Sequence, residues 1–234
     1  MTENHRVVDP DQWLAERKEL LAKEKEFTRL RDQVSRQRRE LPWERVEKEY
    51  VFEGADGRRT LAELFDGRSQ LVVYHFMFGP DWEAGCKSCS FWADNFNGIT
   101  AHLRQRDATL IAVSRAPLPK LQAFAKRLGW SFPWASSLQS DFNFDYGASF
   151  TPEDEGKEAA YNYSLPPNNP DREGVSVFLT DENGDIFHTY SAYARGIDLL
   201  NAAYNYLDIV PKGRDEEGPH AQSWVRRHDE YEHA

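Results

Sequence analysis

Three features of this 234-residue sequence predict an α/β fold with a parallel βαβ unit at its centre. The run Leu71-Val72-Val73-Tyr74-His75-Phe76-Met77-Phe78 is short, β-branched and aromatic, and unrelieved by charge, the pattern of a buried strand. A second apolar run, residues 108–114, lies between two helical patterns. Strand, helix, strand, helix implies parallel strands joined by a right-handed crossover. Further on, residues 175–180 and 185–190 read as strands joined by Asp181-Glu182-Asn183-Gly184, a strong hairpin signal.

Taken in order, the chain opens with a polar stretch and then a helix start at Asp9-Pro10, an N-cap residue followed by proline at the first helical position. From there to about Arg39 it is dense in Glu, Lys and Arg, with Trp13, Leu20, Phe27 and Val34 at seven-residue intervals and Leu14, Leu21 and Leu30 alongside. That is an amphipathic helix, whole or broken in two, with a narrow apolar seam. The seam either straps onto the domain or meets a second copy in a homodimer, and Arg36, Arg38 and Arg39 read as a solvated face. Leu41-Pro42-Trp43 ends the arm. Residues 49–52 then read as a strand, Gly54-Ala55-Asp56-Gly57 as a turn, and residues 60–65 as a short helical turn closed by Asp66-Gly67.

Gly79-Pro80-Asp81 breaks the apolar strand, and a helix is expected from Ser90 to about Arg106. Pro117 opens another, to Leu128, with Leu121, Phe124, Ala125 and Leu128 on one face. Residues 132–163 are irregular, their aromatics interleaved with Ser, Asn and Asp, either a packed surface loop or the wall of a pocket. A closing helix is expected over residues 196–207, and the charged tail after Pro211 is expected to be anchored by Trp224. The expected organisation is a helical arm over residues 1–42, an α/β domain over 43–210 and a partly ordered tail over 211–234.

The chain's only cysteines sit in Cys86-Lys87-Ser88-Cys89, where the central strand gives way to a helix. A helix start presents unpaired N–H groups and the positive end of the macrodipole, which stabilise a thiolate. Lowering a thiol pKa from ~8.5 towards neutrality makes it a nucleophile at cellular pH. Residues three apart share a helix face, so Cys89 reaches a mixed disulfide formed at Cys86. The pair therefore reads as attacking Cys86 and resolving Cys89, with Lys87 adding positive charge beside the first thiol. His75 is either a supporting proton acceptor or a satisfied core histidine. Trp82, Trp134 and Phe144 are the candidates for shaping a substrate cleft. Two other readings stay open: a structural dithiol, and a zinc site completed by His75 and His102, although neither histidine has ligand-type spacing. No cofactor and no metal ligand set is assigned.

Composition narrows the classes. A formal net charge of −10 argues against a nucleic-acid surface. Residues 1–11 are polar, with no apolar core of an export signal, and no apolar segment approaches the ~20 residues that span a bilayer. A cytoplasmic location is expected, where a CxxC pair is catalytic more often than structural.

With CxxC at the first strand-to-helix junction, the βαβ unit, the hairpin and the final helix resemble a three-layer thioredoxin-like fold. The order strand, DG, Thr60-Leu61-Ala62-Glu63-Leu64-Phe65, DG, apolar strand resembles the approach to the active-site strand in peroxiredoxin-like chains. The stretches Phe76-Met77-Phe78-Gly79-Pro80-Asp81-Trp82-Glu83-Ala84-Gly85-Cys86, Ala112-Val113-Ser114-Arg115-Ala116-Pro117, Gly129-Trp130-Ser131-Phe132-Pro133-Trp134 and Tyr193-Ala194-Arg195-Gly196 resemble a bacterial and fungal thioredoxin-like family. That family is catalogued as a domain of unknown function, some members being labelled as candidate dithiol–disulfide oxidoreductases. The resemblance implies thiol–disulfide exchange with an unidentified thiol or disulfide partner. The alternative is a thioredoxin-like binding protein whose dithiol is a sensor or a relic. This chain departs from active thioredoxins in three places. Gly85 and Ser88 replace their tryptophan and proline around the cysteines, Tyr74-His75 stands in the region of their buried aspartate, and Glu173-Gly174 precedes the hairpin where they carry a cis-proline. The peroxiredoxin Pro-x-x-x-Thr/Ser-x-x-Cys pattern is missing, since Glu83 stands three before Cys86, so a standard peroxidase mechanism is not expected.

Overall fold

The computed structural model describes residues 5–154, 161–164, 169–216 and 221–232. Parts of three expectations lie outside the described residues: the start of the polar stretch (1–4), a piece of the irregular stretch (155–160) and pieces of the tail (217–220 and 233–234). The chain divides into two units, Met1–Pro42 and Trp43–Ala234.

In the first unit, α1 (Pro10–Glu40) is one unbroken helix of 31 residues. The Asp9 carboxylate accepts from the Gln12 N–H at 2.9 Å, satisfying one of the orphan donors of the first turn. None of its side chains is buried, and Trp13, Leu20 and Phe27 are exposed.

In the second unit, the described strands form one eight-stranded sheet: β1 (Glu44–Arg45), β2 (Val51–Gly54), β3 (Gly57–Thr60), β4 (Gln70–His75), β5 (Ala108–Ser114), β6 (Trp134–Ser136), β7 (Gly174–Thr180) and β8 (Ile186–Tyr193). Their order across the sheet is β1-β8-β7-β4-β5-β6-β2-β3. The central apolar run pairs parallel with β5 on one side and antiparallel with β7 on the other, and β7 and β8 are the expected hairpin. Strand β4 ends at His75, so Phe76, Met77 and Phe78 lie beyond it, Phe76 and Phe78 still buried.

Helices cover both faces. One face carries α3 (Lys87–Ala93), α5 (Leu118–Arg127) and α7 (Ala202–Leu207), which pack Cys89, Trp92, Leu121, Phe124 and Tyr204 against Tyr74, Phe76 and Ala112. The other carries α2 (Leu61–Leu64) and α6 (Phe142–Asp145), with Leu61, Leu64 and Phe142 against Leu71, Val73, Ile111 and Phe178. This is the expected three-layer thioredoxin-like fold.

Several boundaries differ from the sequence reading. The helix expected over residues 90–106 is two pieces, α3 and α4 (Ile99–Arg104). Between them the Asn95 amide donates to the Phe91 and Trp92 carbonyls, taking helix acceptors for itself, and Gly98 adopts a φ of 84° that ends the run. The closing helix is likewise split into a 3-10 segment, Ala194–Leu200, and α7, because the Asn201 side chain caps the Tyr204 N–H. The stretch read as irregular contains β6 and α6. Strand β6 is short and is held by pairing with β5, a partner that no local pattern announces. In the tail, Trp224 is half-buried against Phe91, ring centroids 5.5 Å apart, while Val225 is fully buried.

Candidate functional site

The dithiol is placed by the segment that leaves β4. The Cys86 N–H donates to the Met77 carbonyl at 3.0 Å, and the Met77 N–H points at the Cys89 sulfur at 3.4 Å, so the loop between them closes back onto the strand end. Cys86 occupies the N-cap position of α3 and Cys89 lies inside its first turn. Gly85, the residue before Cys86, is squeezed between rings. A Cβ there would stand 2.7 Å from Phe76 Cε1 and 2.9 Å from Phe124 Cε1, so no larger residue fits without displacing them.

The two sulfurs are unequal. Cys86 and Cys89 lie 4.0 Å apart, Cys86 partly exposed and Cys89 1% exposed. A hydrogen bond from the Cys89 thiol pulls the Cys86 thiol down to about 6, helped by the N–H groups of Cys89 and Ser88 and opposed by burial. Burial pushes Cys89 well above the ordinary thiol value, and the neighbouring Cys86 pushes it further. Both thiols are free.

The pair opens into a pocket of about 290 Å³. Tyr74, Met77, Trp92 and Ile197 form much of its wall, and Glu173, Arg195, Asp198 and Gln222 supply polar groups. Among the residues of this pocket to which the sequence reading gave no role, Glu173 and Tyr74 bear most directly on the thiols. Glu173 stands directly before β7, at the position where the cis-proline was missed, and that position was the signal that could have found it. Its carboxylate accepts from the Tyr161 hydroxyl at 3.1 Å, and its charge raises both thiols. Tyr74 is fully buried, and its hydroxyl makes no hydrogen bond of normal geometry among the described residues.

The other sequence candidates are placed elsewhere. His75 belongs to the opposite face of the sheet, stacked on Phe142 with centroids 5.6 Å apart, its Nε2 2.9 Å from Ser176 Oγ. Ser176 Oγ in turn meets Ser191 Oγ at 2.9 Å, and Ser191 meets His188 Nε2 at 2.8 Å, a polar chain running away from the dithiol. Burial holds the His75 imidazole down to about 3, so it is neutral at any physiological pH. Of the two readings of His75, this geometry is that of a core histidine, in the layer of Phe142 and not in the layer that holds the sulfurs. His102 is exposed on α4, and among the described residues no group of three or more His, Cys, Asp or Glu side chains gathers as metal ligands do.

Lys87 turns its ammonium to the Ser223 carbonyl at 3.4 Å, and the groups that lower Cys86 are a thiol and two N–H donors. Trp134 lies in the aromatic core with Phe76, 4.7 Å between centroids, its indole N–H on Ser114 Oγ. Phe144 sits under the Arg115 guanidinium at 4.6 Å, and Trp82 packs against Gly79 and the same aromatic core. None of the three lines the dithiol pocket.

A family model described as "Bacterial protein of unknown function (DUF899)" matches residues 2–231. Among solved structures, the chain is similar to peroxidoxin BcpB from Mycobacterium tuberculosis, with 15% identity and a TM-score of 0.47 over 69% of this chain and 94% of that one. It is similar to peroxiredoxin Q from Xanthomonas campestris, with 13% identity and a TM-score of 0.42 over 68% and 89%. A candidate thiol:disulfide interchange protein DsbE from Chlorobium tepidum gives 14% identity and a TM-score of 0.40 over 70% and 94%. Comparison with curated proteins gives no match. No helix among the described residues is long and apolar enough to cross a membrane.

Proposed function

We propose, from the premise that this chain belongs to the DUF899 family of bacterial proteins, that it is a thiol–disulfide oxidoreductase working through Cys86 and Cys89. The observation that carries the reading is the inequality of the pair: an acidic, partly exposed Cys86 beside a buried Cys89 held in its protonated form. An exposed thiolate is the nucleophile that exchange requires, and a shielded thiol within reach is what resolves its product.

The Cys86 thiolate attacks one sulfur of a substrate disulfide. A Cys86–substrate S–S bond forms, the substrate's own S–S bond breaks, and the other half leaves as a thiolate. Cys89 then loses its proton and attacks the Cys86 sulfur, breaking the mixed disulfide and releasing the second half. Two electrons have passed from the dithiol to the substrate, leaving Cys86–Cys89 oxidised; the reverse sequence oxidises a dithiol substrate. The proton of Cys89 ends on a departing thiolate. Such a cycle suits a reducing cytoplasm, in which the pair returns to its dithiol form.

The test is thiol labelling across pH with peptide-level readout. Cys86 is expected to be alkylated first and to titrate near 6, with Cys89 protected. Cys86→Ser is expected to abolish exchange, and Cys89→Ser to accumulate mixed disulfides because the resolving step is lost. Equal labelling of the two thiols, or both titrating near the free value of ~8.5, would sink the reading. A ligand retained through purification, together with such ordinary thiols, would favour a binding protein with a relic dithiol.

A further inference from the structure

Resting on the dithiol reading above, we infer that the site takes low-molecular-weight disulfides, and that residues 221–232 form a strap, positioned by Arg227, which keeps disulfides of folded proteins out.

The strap is fastened to the elements that carry the nucleophile. Arg227 Nη2 and Nε both donate to the Gly85 carbonyl, at 2.7 and 3.2 Å, one residue before Cys86. The Ser223 carbonyl accepts from Lys87, one residue after it. Trp224 stands edge-on to Phe91 of α3, and Val225 beside it is fully buried. Further along, the Arg127 guanidinium grips Asp229 through two hydrogen bonds, 2.7 and 2.9 Å, and Glu230 through a third. His228 Nδ1 meets the Asp94 carboxylate at 2.7 Å. Charge-assisted and bidentate contacts of this kind fix position better than single neutral ones. They hold the segment so that Gln222 completes the pocket wall.

The pocket that results is small. At about 290 Å³ it is near the lower end of the range for small-molecule sites. Both cysteines line it, Cys89 1% exposed and Cys86 partly exposed. A disulfide anchored in another folded chain must bring its flanking backbone to the attacking sulfur, and the strap occupies that approach beside Gly85 and Lys87. A small disulfide needs no such room. Arg195, with a side chain 88% exposed, stands 3.4 Å from Asp198, which Arg214 also holds at 2.9 Å, and Glu173 adds a second carboxylate, so both signs of charge border the pocket, which suits a disulfide with amino-acid ends.

The experiment is single-turnover reduction by the full chain, reduced beforehand, with released thiol and protein disulfide both measured. Cystine is the small probe and insulin the protein probe. Wild type is expected to reduce cystine at least about a hundredfold faster than insulin. Arg227→Met is expected to narrow that ratio about tenfold, by raising the insulin rate with the cystine rate nearly unchanged. A second variant, Asp229→Asn, weakens the Arg127 grip on the strap and leaves the Arg227–Glu230 pair and the Gly85 contact in place, and is expected to shift the ratio in the same direction, so that a folding defect in one variant does not decide the matter. Comparable wild-type rates on the two probes, or a ratio that neither variant moves, overturns the inference while leaving the dithiol reading intact. Failure to reduce either probe, or cystine reduction that survives Cys86→Ser, overturns the dithiol reading and the inference with it.

Discussion

Tyr74 and His75 are consecutive in β4 and face opposite sides of the sheet: Tyr74 lines the dithiol pocket, and His75 stacks on Phe142 beneath the other helical layer. Alternation along a strand makes this unavoidable. The histidine, one of the two residues the sequence offered beside the dithiol, lies in the opposite layer, and the tyrosine before it shares the pocket with both sulfurs.

The buried His75 gives stability a pH dependence with a definite sign. Its imidazole has a pKa of about 3 in the fold against 6.5 in the free side chain. Between those values the unfolded chain binds more protons than the folded one, so stability rises with pH across the window and is lost as pH falls from 6.5 towards 3. The contribution has a slope of up to about 1.4 kcal/mol per pH unit. Urea unfolding of wild type and His75→Gln at several pH values checks this. The variant curve is expected to be flatter between pH 4 and 6 by roughly that slope, and parallel curves would refute the assignment.

Glu173 acts against ionisation of Cys86. Its negative charge raises the thiol, so Glu173→Gln is expected to bring the Cys86 pKa below about 6 and to speed alkylation at mildly acidic pH. Rates of iodoacetamide labelling against pH give the answer directly. A pKa that stays put, or climbs, would mean that the carboxylate does not act on the sulfur.

Gly85 is required by space. Because a methyl group there would meet Phe76 and Phe124 within 3 Å, Gly85→Ala is expected to destabilise the fold by about 1–3 kcal/mol through forced movement of packed rings. Thermal or urea unfolding measures the loss. The Arg227 contact to the Gly85 carbonyl should weaken with it, so a variant as stable as wild type would count against the packing argument.

What the sequence determined by itself was whatever local signals carry. The uncharged β-branched run made β4, the Asp181-Glu182-Asn183-Gly184 turn made the β7–β8 hairpin, and Asp9-Pro10 started α1, each through contacts among near neighbours in the chain. The cysteine pair at a strand-to-helix junction was legible for the same reason. What only the tertiary structure decided depends on partners far apart in sequence. Asn95 interrupts its helix and also accepts from the Ala202 N–H, 107 positions away. Strand β6 exists because β5 pairs with it, and His75 is set in the layer of Phe142 by the face of the sheet that the pairing register assigns. Glu173 reaches the sulfurs, and Arg227 reaches Gly85 across 142 positions, because the folded chain brings those segments together. Local pattern reports the free energy of a residue among its neighbours in sequence. At the dithiol the hydrogen bonds that lower Cys86 are local, from Cys89 and Ser88, whereas desolvation and the Glu173 charge are set by neighbours in space, which for this chain come from β4, the residue before β7, the 3-10 segment after β8 and the C-terminal strap.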